Sequence, residues 1–276
     1  MITFPNIGYI GRLGNQMFQY AALISASKIS NDECSLLSSN LELYKCFNIP
    51  TRISSYFNYK TISPNNFNCD NGSIFGIQAD LNQYEQLFST KTDQEFLKKD
   101  FKNKSITGFF QSYKYFQNVE DQLRIHFQFK KKYLDVCNLY IDSLYKNEQI
   151  LSLHVRRTDY LKSSVLNNLN LKYYEDALSH FDKSLIVLVF SDDPEWCIEQ
   201  TIFKEDRFKI IRTDNTYVDF CLMSKCDYHI IANSSFSWWG SWLAKSKKTI
   251  CPKKWFLSDY NFLDSDELRL PNWISI

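Results

Sequence analysis

The clearest pattern in the sequence lies in its second half, where short apolar segments alternate with segments of helical periodicity. The apolar segments predict strands at 149–154, 185–190, 208–211, 228–232 and 248–251. The intervening segments predict helices at about 172–182, 195–202, 216–225 and 235–245. Such alternation with short links is typical of a doubly wound α/β domain with a parallel sheet.

The first half has a weaker pattern. Its predicted elements are strands at 4–10, 33–38 and 104–110 and helices at 17–29, about 114–128 and about 130–146. Residues 45–100 are punctuated by Asn, Ser, Pro and Gly and predict a loop-rich region. The last helix would lead into the second domain, so we expect domains at 1–146 and 147–276.

Composition and charge limit the classes of function. The 276 residues include 32 basic and 31 acidic ones, and the net charge of +1 gives no overall field for nucleic acid. Any anion site must therefore be local, and no nucleic-acid partner is expected. The eight cysteines and four histidines show no zinc-site spacing, so we expect reduced thiols and a cytoplasmic protein.

The sequence gives no sign of a membrane segment. Met1–Pro5 lacks the basic and apolar regions of a signal peptide. No stretch approaches the roughly 18 uncharged apolar residues of a membrane span. We therefore expect no transmembrane segment, although the protein could reach a membrane-embedded acceptor from the water side.

The heptad His154–Tyr160 follows the first predicted strand of the second half and contains one imidazole, two guanidiniums and one carboxylate. Arg156 and Arg157 would be costly to bury without anionic partners. Arginine suits phosphate because its planar fork can donate two hydrogen bonds at once. On these residues alone, a site for a phosphorylated ligand and a solvated loop with internally paired charges both remain open.

Polar residues also follow two other predicted strands of the same sheet. Asp192 and Asp193 come after the strand at 185–190, and Asn233, Ser234 and Ser235 come after the strand at 228–232. Ligands of such sheets bind outside the carboxyl ends of the strands. Three polar clusters at three strand ends therefore favour one shared binding site.

The helix predicted after the third cluster carries two features with alternative interpretations. Ser234 and Ser235 can cap the helix or offer donors to phosphate, and capping is expected to contribute. The tryptophans at i, i+1 and i+4 favour helix packing over a sugar-binding platform. They are Trp238, Trp239 and Trp242.

Gly11 and Gly14 lie between a predicted strand and a predicted helix, where they suit a tight turn close to a ligand. The helix would direct its amide donors and positive dipole end toward this turn. The segment lacks both the G-x-G-x-x-G and the P-loop patterns. A plain helix start therefore remains the alternative.

Four segments together resemble the motifs of the α1,2-fucosyltransferases, glycosyltransferase family 11. They are Gly11–Ala21, His154–Tyr160, Phe190–Asp193 and Asn233–Gly240. A further segment, Gly108–Phe116, resembles another part of that family. The matches are in order and run from residue 11 to about 256, so their combination is specific although each is modest.

The resemblance implies an α/β protein of GT-B type, with two Rossmann-like domains facing each other across a cleft. Residues 1–146 would form the acceptor-side domain and residues 147–276 the GDP-fucose-binding domain. It implies GDP-fucose as a co-substrate, no cofactor, no metal, and inversion at the anomeric carbon. The acceptor would be a galactose-terminated oligosaccharide or a lipid-linked glycan.

The resemblance also implies roles for individual residues. Arg156 would contact the donor β-phosphate, and His154 would lie near the guanosine. Asn15, together with Arg12, would reach the donor from the first domain. The other implied donor-binding residues are Arg157, Asp219, Asn233, Ser234, Ser235 and Phe236. A carboxylate at the position of Asp219 can accept from both N1–H and N2–H of guanine.

Two points of chemistry stay open. Asp192 and Asp193 could be mistaken for a metal site, but Pro194 follows directly, so we expect them to orient the loop or cap the next helix. Asp159 could be the general base, or it could hold Arg156 or Arg157 in an ion pair. We favour the ion pair, and a transition state of oxocarbenium character could proceed without a strong base.

The sequence thus predicts a metal-independent, inverting galactoside α1,2-L-fucosyltransferase, acting in surface polysaccharide or O-antigen synthesis. A fucosyltransferase of another linkage and a transferase of another GDP-sugar are the alternatives within enzymes. A non-catalytic nucleotide-sugar or glycan-binding protein is the alternative outside them.

Overall fold

The computed structural model describes residues 1–36, 41–50, 96–144, 148–263 and 266–276, apart from residues 6 and 10. The chain forms two compact units. One is Met1–Gln128 with Ser265–Leu268, and the other is Phe129–Asp264 with Arg269–Ile276. The units divide earlier in the chain than the boundary expected at residues 146 and 147. Most of the loop region predicted at 45–100 lies outside the described residues.

The first unit combines short strands with one long helix. Its described elements are β1 (Ile2–Thr3), β2 (Cys34–Ser35), α1 (Leu13–Ser30), α2 (Glu42–Cys46) and α3 (Glu120–His126). Three 3-10 turns accompany them at Phe96–Lys98, Tyr113–Tyr115 and Gln117–Val119. Strands β1 and β2 pair in parallel, and the predicted helix at 17–29 is confirmed within α1.

Two strand predictions in the first unit are wrong. The strand expected at 4–10 is replaced by β1, because Gly8 has a positive φ of 84° and its neighbours form turns. The strand expected at 104–110 is reduced to a single bridge between Ser105 and Thr3. Gly108 and Phe110 have φ values of 138° and 53°, which no strand accommodates.

The turn before α1 requires a glycine. Gly11 has a φ of 87°, and a Cβ built on it would lie 2.2 Å from Nδ2 of Asn15. Both the backbone conformation and the available space therefore exclude a side chain. This turn fixes the start of α1, where Asn15 lies in the first turn of the helix.

The second unit is a parallel sheet flanked by helices. Its strands are β3 (Ile150–Val155), β4 (Ile186–Ser191), β5 (Phe208–Ile210), β6 (Tyr228–Ile230), β7 (Lys248–Cys251) and β8 (Ile274–Ser275). Its described helices are α4 (Lys131–Leu144), α5 (Leu171–Leu178), α6 (Pro194–Glu199), α7 (Thr216–Met223) and α8 (Ser235–Ala244). The five strands and four helices predicted for the second half are confirmed, and β8 was missed.

The strand order of this sheet is β5-β4-β3-β6-β7-β8, and every neighbouring pair is parallel. The chain leaves β3 toward β4 and β5, then returns to add β6, β7 and β8 on the other side. The order therefore reverses between β3 and β6, as it does in a Rossmann sheet. Ligands of open α/β sheets bind at such a reversal, outside the carboxyl ends of the strands.

Strand β3 is central and buried along its whole length, as its continuous apolar run predicts. Helix α8 is also deeply buried, and its three tryptophans are at most 4% exposed. The ring of Trp239 forms T-shaped contacts with the rings of Trp238 and Trp242. This confirms that they pack the core and do not form a sugar-binding platform. Gly240 allows close packing here, because a Cβ on it would lie 2.5 Å from Sδ of Met223 in α7.

Candidate active site

Hydrogen bonds join the three polar clusters predicted at the strand ends of the second unit. The Arg157 amide donates to Oδ1 of Asp192 over 2.9 Å, which links the end of β3 to the end of β4. The hydroxyl of Tyr160 donates to the carbonyl of Asn233 over 2.9 Å, which links β3 to the segment after β6. The three polar clusters that the sequence predicts therefore lie together at the reversal of the strand order, and their role as a binding site stays a prediction.

Arg156 lies between two carboxylates in this site. Its Nη2 is 2.5 Å from Oδ1 of Asp159, and its Nη1 is 3.1 Å from Oδ2 of Asp192. The guanidinium also lies over the ring of Tyr160. Burial lowers the pKa of Arg156, but the two carboxylates outweigh burial and raise the pKa above its ordinary value. Arg156 is thus a fixed positive charge.

The carboxylate of Asp192 binds the loop that follows β3 at several points. Its oxygens accept hydrogen bonds from the amides of Arg157 and Thr158 and from the Thr158 hydroxyl, and Oδ2 forms an ion pair with Arg156. Burial raises the pKa of Asp192, but the charge of Arg156 and these hydrogen bonds outweigh it, so the pKa is lowered. An ionised Asp192 therefore holds both the backbone of the loop and the Arg156 side chain.

Arg157 and Asp193 are engaged with helix α6. Oδ1 of Asp193 accepts from the Trp196 amide and caps this helix, which begins with Pro194. Oδ2 of Asp193 lies 3.2 Å from Nε of Arg157, and the guanidinium stacks 3.8 Å from the Trp196 ring centroid. Arg157 therefore anchors the loop to α6 through a cation–π contact and an ion pair.

His154 forms a ring stack with two phenylalanines from helices α7 and α8. Its ring centroid lies 5.8 Å from that of Phe236, which lies 4.7 Å from that of Phe220. Burial, and after it the charge of Arg156, lower the pKa of His154 to about 3 against the opposing effect of Asp192. The imidazole is therefore neutral, and its buried Nδ1 has no hydrogen-bond partner among the described residues.

Asn233 ties together the segments around the end of β6. Its Nδ2 donates to the carbonyls of Asn167 and Trp255 over 2.8 and 2.7 Å. Its Oδ1 is buried, and no described residue donates to it. Since buried polar atoms are normally paired, Asn233 and His154 both offer an unmet hydrogen bond at the strand-order reversal.

Ser234, Ser235 and Phe236 form the start of helix α8. Oγ of Ser234 accepts from the Phe236 amide and caps the helix, so the capping interpretation is confirmed. Ser235 and Phe236 are half-buried. The positive end of the helix dipole therefore points to the same strand ends as Arg156 does.

Asp219 lies in the first turn of helix α7, directly before Phe220 of the ring stack. The Thr213 hydroxyl donates to its Oδ1 over 2.6 Å, and burial raises the pKa of Asp219. The side chain of Asn215 caps the helix by accepting from two amides. The hydrogen bond from Thr213 thus orients the carboxylate of Asp219.

Two predicted residues lie in the first unit. Arg12 is exposed at the N-cap of α1, and Oδ1 of Asn15 accepts from Nε2 of Gln111 over 2.9 Å. The expectation that the α1 amides face the glycine turn needs a correction. The first amide, of Leu13, donates over 2.6 Å to Oε2 of Glu42, so a carboxylate of the protein already occupies this position.

Sequence reasoning missed several residues that shape the site. Tyr160 and Thr158 belong to the heptad and could have been found by asking what holds its arginines. Trp196 has no comparable local signal, because its partner Arg157 comes from the end of β3. Thr213 lies six residues before its partner Asp219, and no sequence pattern marks their contact. Their roles follow only from the fold.

In the described ranges, no three His, Cys, Asp or Glu residues are grouped so that they could hold a metal ion. The seven cysteines that the structure describes are free thiols. No helix within those ranges is both long enough and apolar enough to cross a membrane.

The fold defines the class of protein: an α/β protein of GT-B glycosyltransferase type. A solved structure of the NodZ α1,6-fucosyltransferase of Bradyrhizobium, soaked with GDP-fucose, superposes with a TM-score of 0.51. The match covers 88% of this chain and 91% of that one, with 11% sequence identity. The fold class expected from the sequence is confirmed.

The chain belongs to glycosyl transferase family 11, whose model matches residues 3–276. It is 29% identical to the O-antigen biosynthesis glycosyltransferase WbnK of Escherichia coli, over 96% of this chain and 98% of the relative. It is 31% identical to an α1,2-colitosyltransferase of E. coli, over 89% and 90%. Galactoside α1,2-fucosyltransferase 1 of Ateles belzebuth is 22% identical, over 96% and 73%.

The family resemblance seen in the sequence is therefore confirmed, and the protein is a glycosyltransferase. The comparisons support a transferase of fucosyltransferase type. The roles assigned to individual residues stay predictions.

Proposed function

We propose that the protein transfers L-fucose from GDP-β-L-fucose to O2 of a terminal galactose, with inversion at the anomeric carbon and without a metal ion. GDP-fucose is a co-substrate, and no cofactor takes part. The proposal is supported above all by one observation: Arg156, His154 and the start of helix α8 come together where the strand order of the second unit reverses.

In this proposal the donor diphosphate binds at Arg156. As the bond between fucose and the β-phosphate breaks, negative charge grows on the leaving diphosphate. A fixed guanidinium and the amides at the start of α8 stabilise this charge in the way that a metal ion does in other enzymes. The permanent charge of Arg156 suits this role, because the stabilising group does not have to gain a proton.

The nucleoside binds on the aromatic side of the same site. The neutral His154 and Phe236 supply a flat apolar surface, and Nδ1 of His154 and Oδ1 of Asn233 supply unmet hydrogen bonds. Asp219, which Thr213 orients, accepts from N1–H and N2–H of guanine. A carboxylate that accepts both hydrogen bonds selects guanine over the other bases.

The acceptor is a galactose-terminated oligosaccharide or a lipid-linked glycan, in the synthesis of surface polysaccharide or O-antigen. The likeness to an O-antigen glycosyltransferase supports this setting. The likeness to an α1,2-colitosyltransferase supports a second candidate, in which the same site transfers colitose from its GDP-sugar. In both candidates the transferred sugar forms an α1,2 bond to the galactose of the acceptor.

A panel of donors separates these candidates. The purified protein is incubated with GDP-fucose, GDP-colitose or GDP-mannose and a β-galactoside, in EDTA or in magnesium, and released GDP is measured. We expect GDP release from GDP-fucose at equal rates in both conditions. Preference for GDP-colitose would support the second candidate, and loss of activity in EDTA would contradict metal independence.

Arg156→Lys tests the role of the guanidinium. A lysine keeps the charge but cannot donate two parallel hydrogen bonds to a phosphate. We expect kcat to fall by about 10- to 100-fold, which corresponds to the loss of one charge-assisted hydrogen bond. Arg212→Lys is the matched control, because Arg212 pairs with Glu195 on the surface. Near-normal turnover of Arg156→Lys would contradict the assignment.

A further inference from the structure

The two carboxylates that pair with Arg156 are held very unequally. Asp192 accepts three hydrogen bonds and forms an ion pair with Arg156, and its side chain is 17% exposed. The carboxylate of Asp159 pairs with Arg156 alone among the described residues, and its side chain is 30% exposed. Asp192 is therefore built into the loop, whereas Asp159 is attached to the site by a single ion pair.

The net charge of the site requires one of these two carboxylates to move when a diphosphate binds. Two arginines, Arg156 and Arg157, face three aspartates, so the cluster carries one net negative charge while His154 is neutral. Both Nη atoms of Arg156 already meet carboxylates. A diphosphate would meet both repulsion and an occupied guanidinium, unless one carboxylate moves away.

We propose that Asp159 is a displaceable partner of Arg156, which occupies Nη2 until the diphosphate of the donor takes its place. The inference rests on the proposed function, which places that diphosphate at Arg156. Asp159 leaves because rotation of its side chain breaks only one ion pair. Asp192 stays, because moving it would also break three hydrogen bonds to the Arg157–Thr158 segment.

The local backbone suits such an exchange. Asp159 directly precedes the 3-10 turn Tyr160–Lys162, three residues after Arg156. Asp192 fixes the two residues between them, and the Tyr160 hydroxyl fixes the turn to Asn233. Arg156 therefore keeps its orientation when Asp159 swings out. The ion pair partly neutralises the charge of the half-buried Arg156 and competes with the donor diphosphate for Nη2.

The proposal predicts that Asp159→Asn binds GDP more tightly than the wild type does. Binding of GDP, inorganic pyrophosphate and guanosine is measured by calorimetry in EDTA, for the wild type and for Asp159→Asn. An asparagine keeps the shape but removes the competing charge. We expect the Kd values of GDP and pyrophosphate to fall by about fivefold, the scale of a partly exposed ion pair, and that of guanosine to stay unchanged.

Two further variants serve as controls. Asp192→Asn should raise the Kd of GDP, because Asp192 orients Arg156 and does not compete for ligand. Asp176→Asn removes an exposed ion pair with Lys172 outside the site and should change no Kd. Asp159→Ala is measured as well, and the Tm of each variant confirms folding.

Failure of the Asp159 proposal and failure of the proposed function give different results. If Asp159→Asn and Asp159→Ala leave the Kd of GDP unchanged or raise it while they remain folded, Asp159 is a positioning residue and the proposal is wrong. If the wild type binds neither GDP nor pyrophosphate, the proposed function itself fails.

Discussion

The role of Asp192 in holding the loop after β3 leads to a stability prediction whose size can be worked out from its contacts. Asp192→Asn keeps the shape of the side chain and replaces one oxygen by an NH2 group. Oδ2 accepts hydrogen bonds from the Thr158 amide and hydroxyl and pairs with the charge of Arg156, and Oδ1 accepts from the Arg157 amide. The best orientation of the amide keeps the contacts of Oδ2, and its NH2 group then faces the Arg157 N–H.

The magnitude follows from these three hydrogen bonds and the ion pair. Hydrogen bonds to charged groups contribute about 1.5–3 kcal/mol each, and neutral ones about 0.5–1.5 kcal/mol. The variant weakens two hydrogen bonds and the ion pair, and it loses the third hydrogen bond. Because neighbouring contributions are not additive and Asp192 is partly exposed, we expect a loss of about 2–4 kcal/mol in the free energy of unfolding.

Urea unfolding of the wild type, Asp192→Asn and Asp176→Asn measures this loss. The control removes an exposed carboxylate that pairs with Lys172 and should cost less than about 0.5 kcal/mol. A difference below about 1 kcal/mol for Asp192→Asn would refute this role of Asp192. It would mean that the loop after β3 does not depend on this carboxylate.

The pH dependence provides a second test of the same prediction. The folded-state pKa of Asp192 is lowered relative to the unfolded value of about 3.9. A lowered carboxyl pKa contributes stability above the unfolded pKa, and this contribution is lost as the pH falls through the folded pKa. The difference between wild type and Asp192→Asn should therefore be constant from about pH 5 to 7 and shrink in more acidic solution.

Two further predictions concern the helices that support the site. Gly240→Ala places a Cβ 2.5 Å from Sδ of the buried Met223 and should cost about 1–3 kcal/mol by overpacking; an unchanged Tm would contradict this close packing. Asn215→Ala removes the cap of α7 and should cost about 0.5–2 kcal/mol, with faster amide exchange in the first turn of that helix. Equal exchange in both proteins would show that Asn215 does not hold the start of α7.

The second unit could be predicted from the sequence because its local and tertiary signals agree. Each central strand is a continuous apolar run, and each following helix starts with a capping side chain such as Asp193, Asn215 or Ser234. Strand β8 carries no such signal, because it has two residues and both are exposed. Its place beside β7 is decided by the sheet edge that it completes.

The first unit was predicted less well because tertiary contacts override its local preferences. The segment around Phe110 is apolar and reads as a strand, yet Phe110 takes a positive φ. This conformation places its ring against Phe4, Phe96 and Tyr115. Aromatic packing between distant parts of the chain cannot be read from periodicity.

The candidate site was predictable in its parts but not in its connections. Each polar cluster follows an apolar strand, which is a local signal. The contact between Arg157 and Asp192 depends on β3 and β4 being neighbours, and the role of Tyr160 depends on β3 and β6 being neighbours. The expectation of paired charges and the expectation of an anion site also do not exclude each other, because Arg156 can exchange one partner for the other.

The structure of the reaction product tests the proposed function most directly. The protein is incubated with GDP-fucose labelled with 13C in the sugar and with a β-galactoside, and the purified product is analysed by NMR. The proposed function predicts an α-linked fucose whose labelled anomeric carbon shows a three-bond coupling to H2 of galactose. A product with another linkage, or the absence of any labelled product with GDP-fucose, would contradict it.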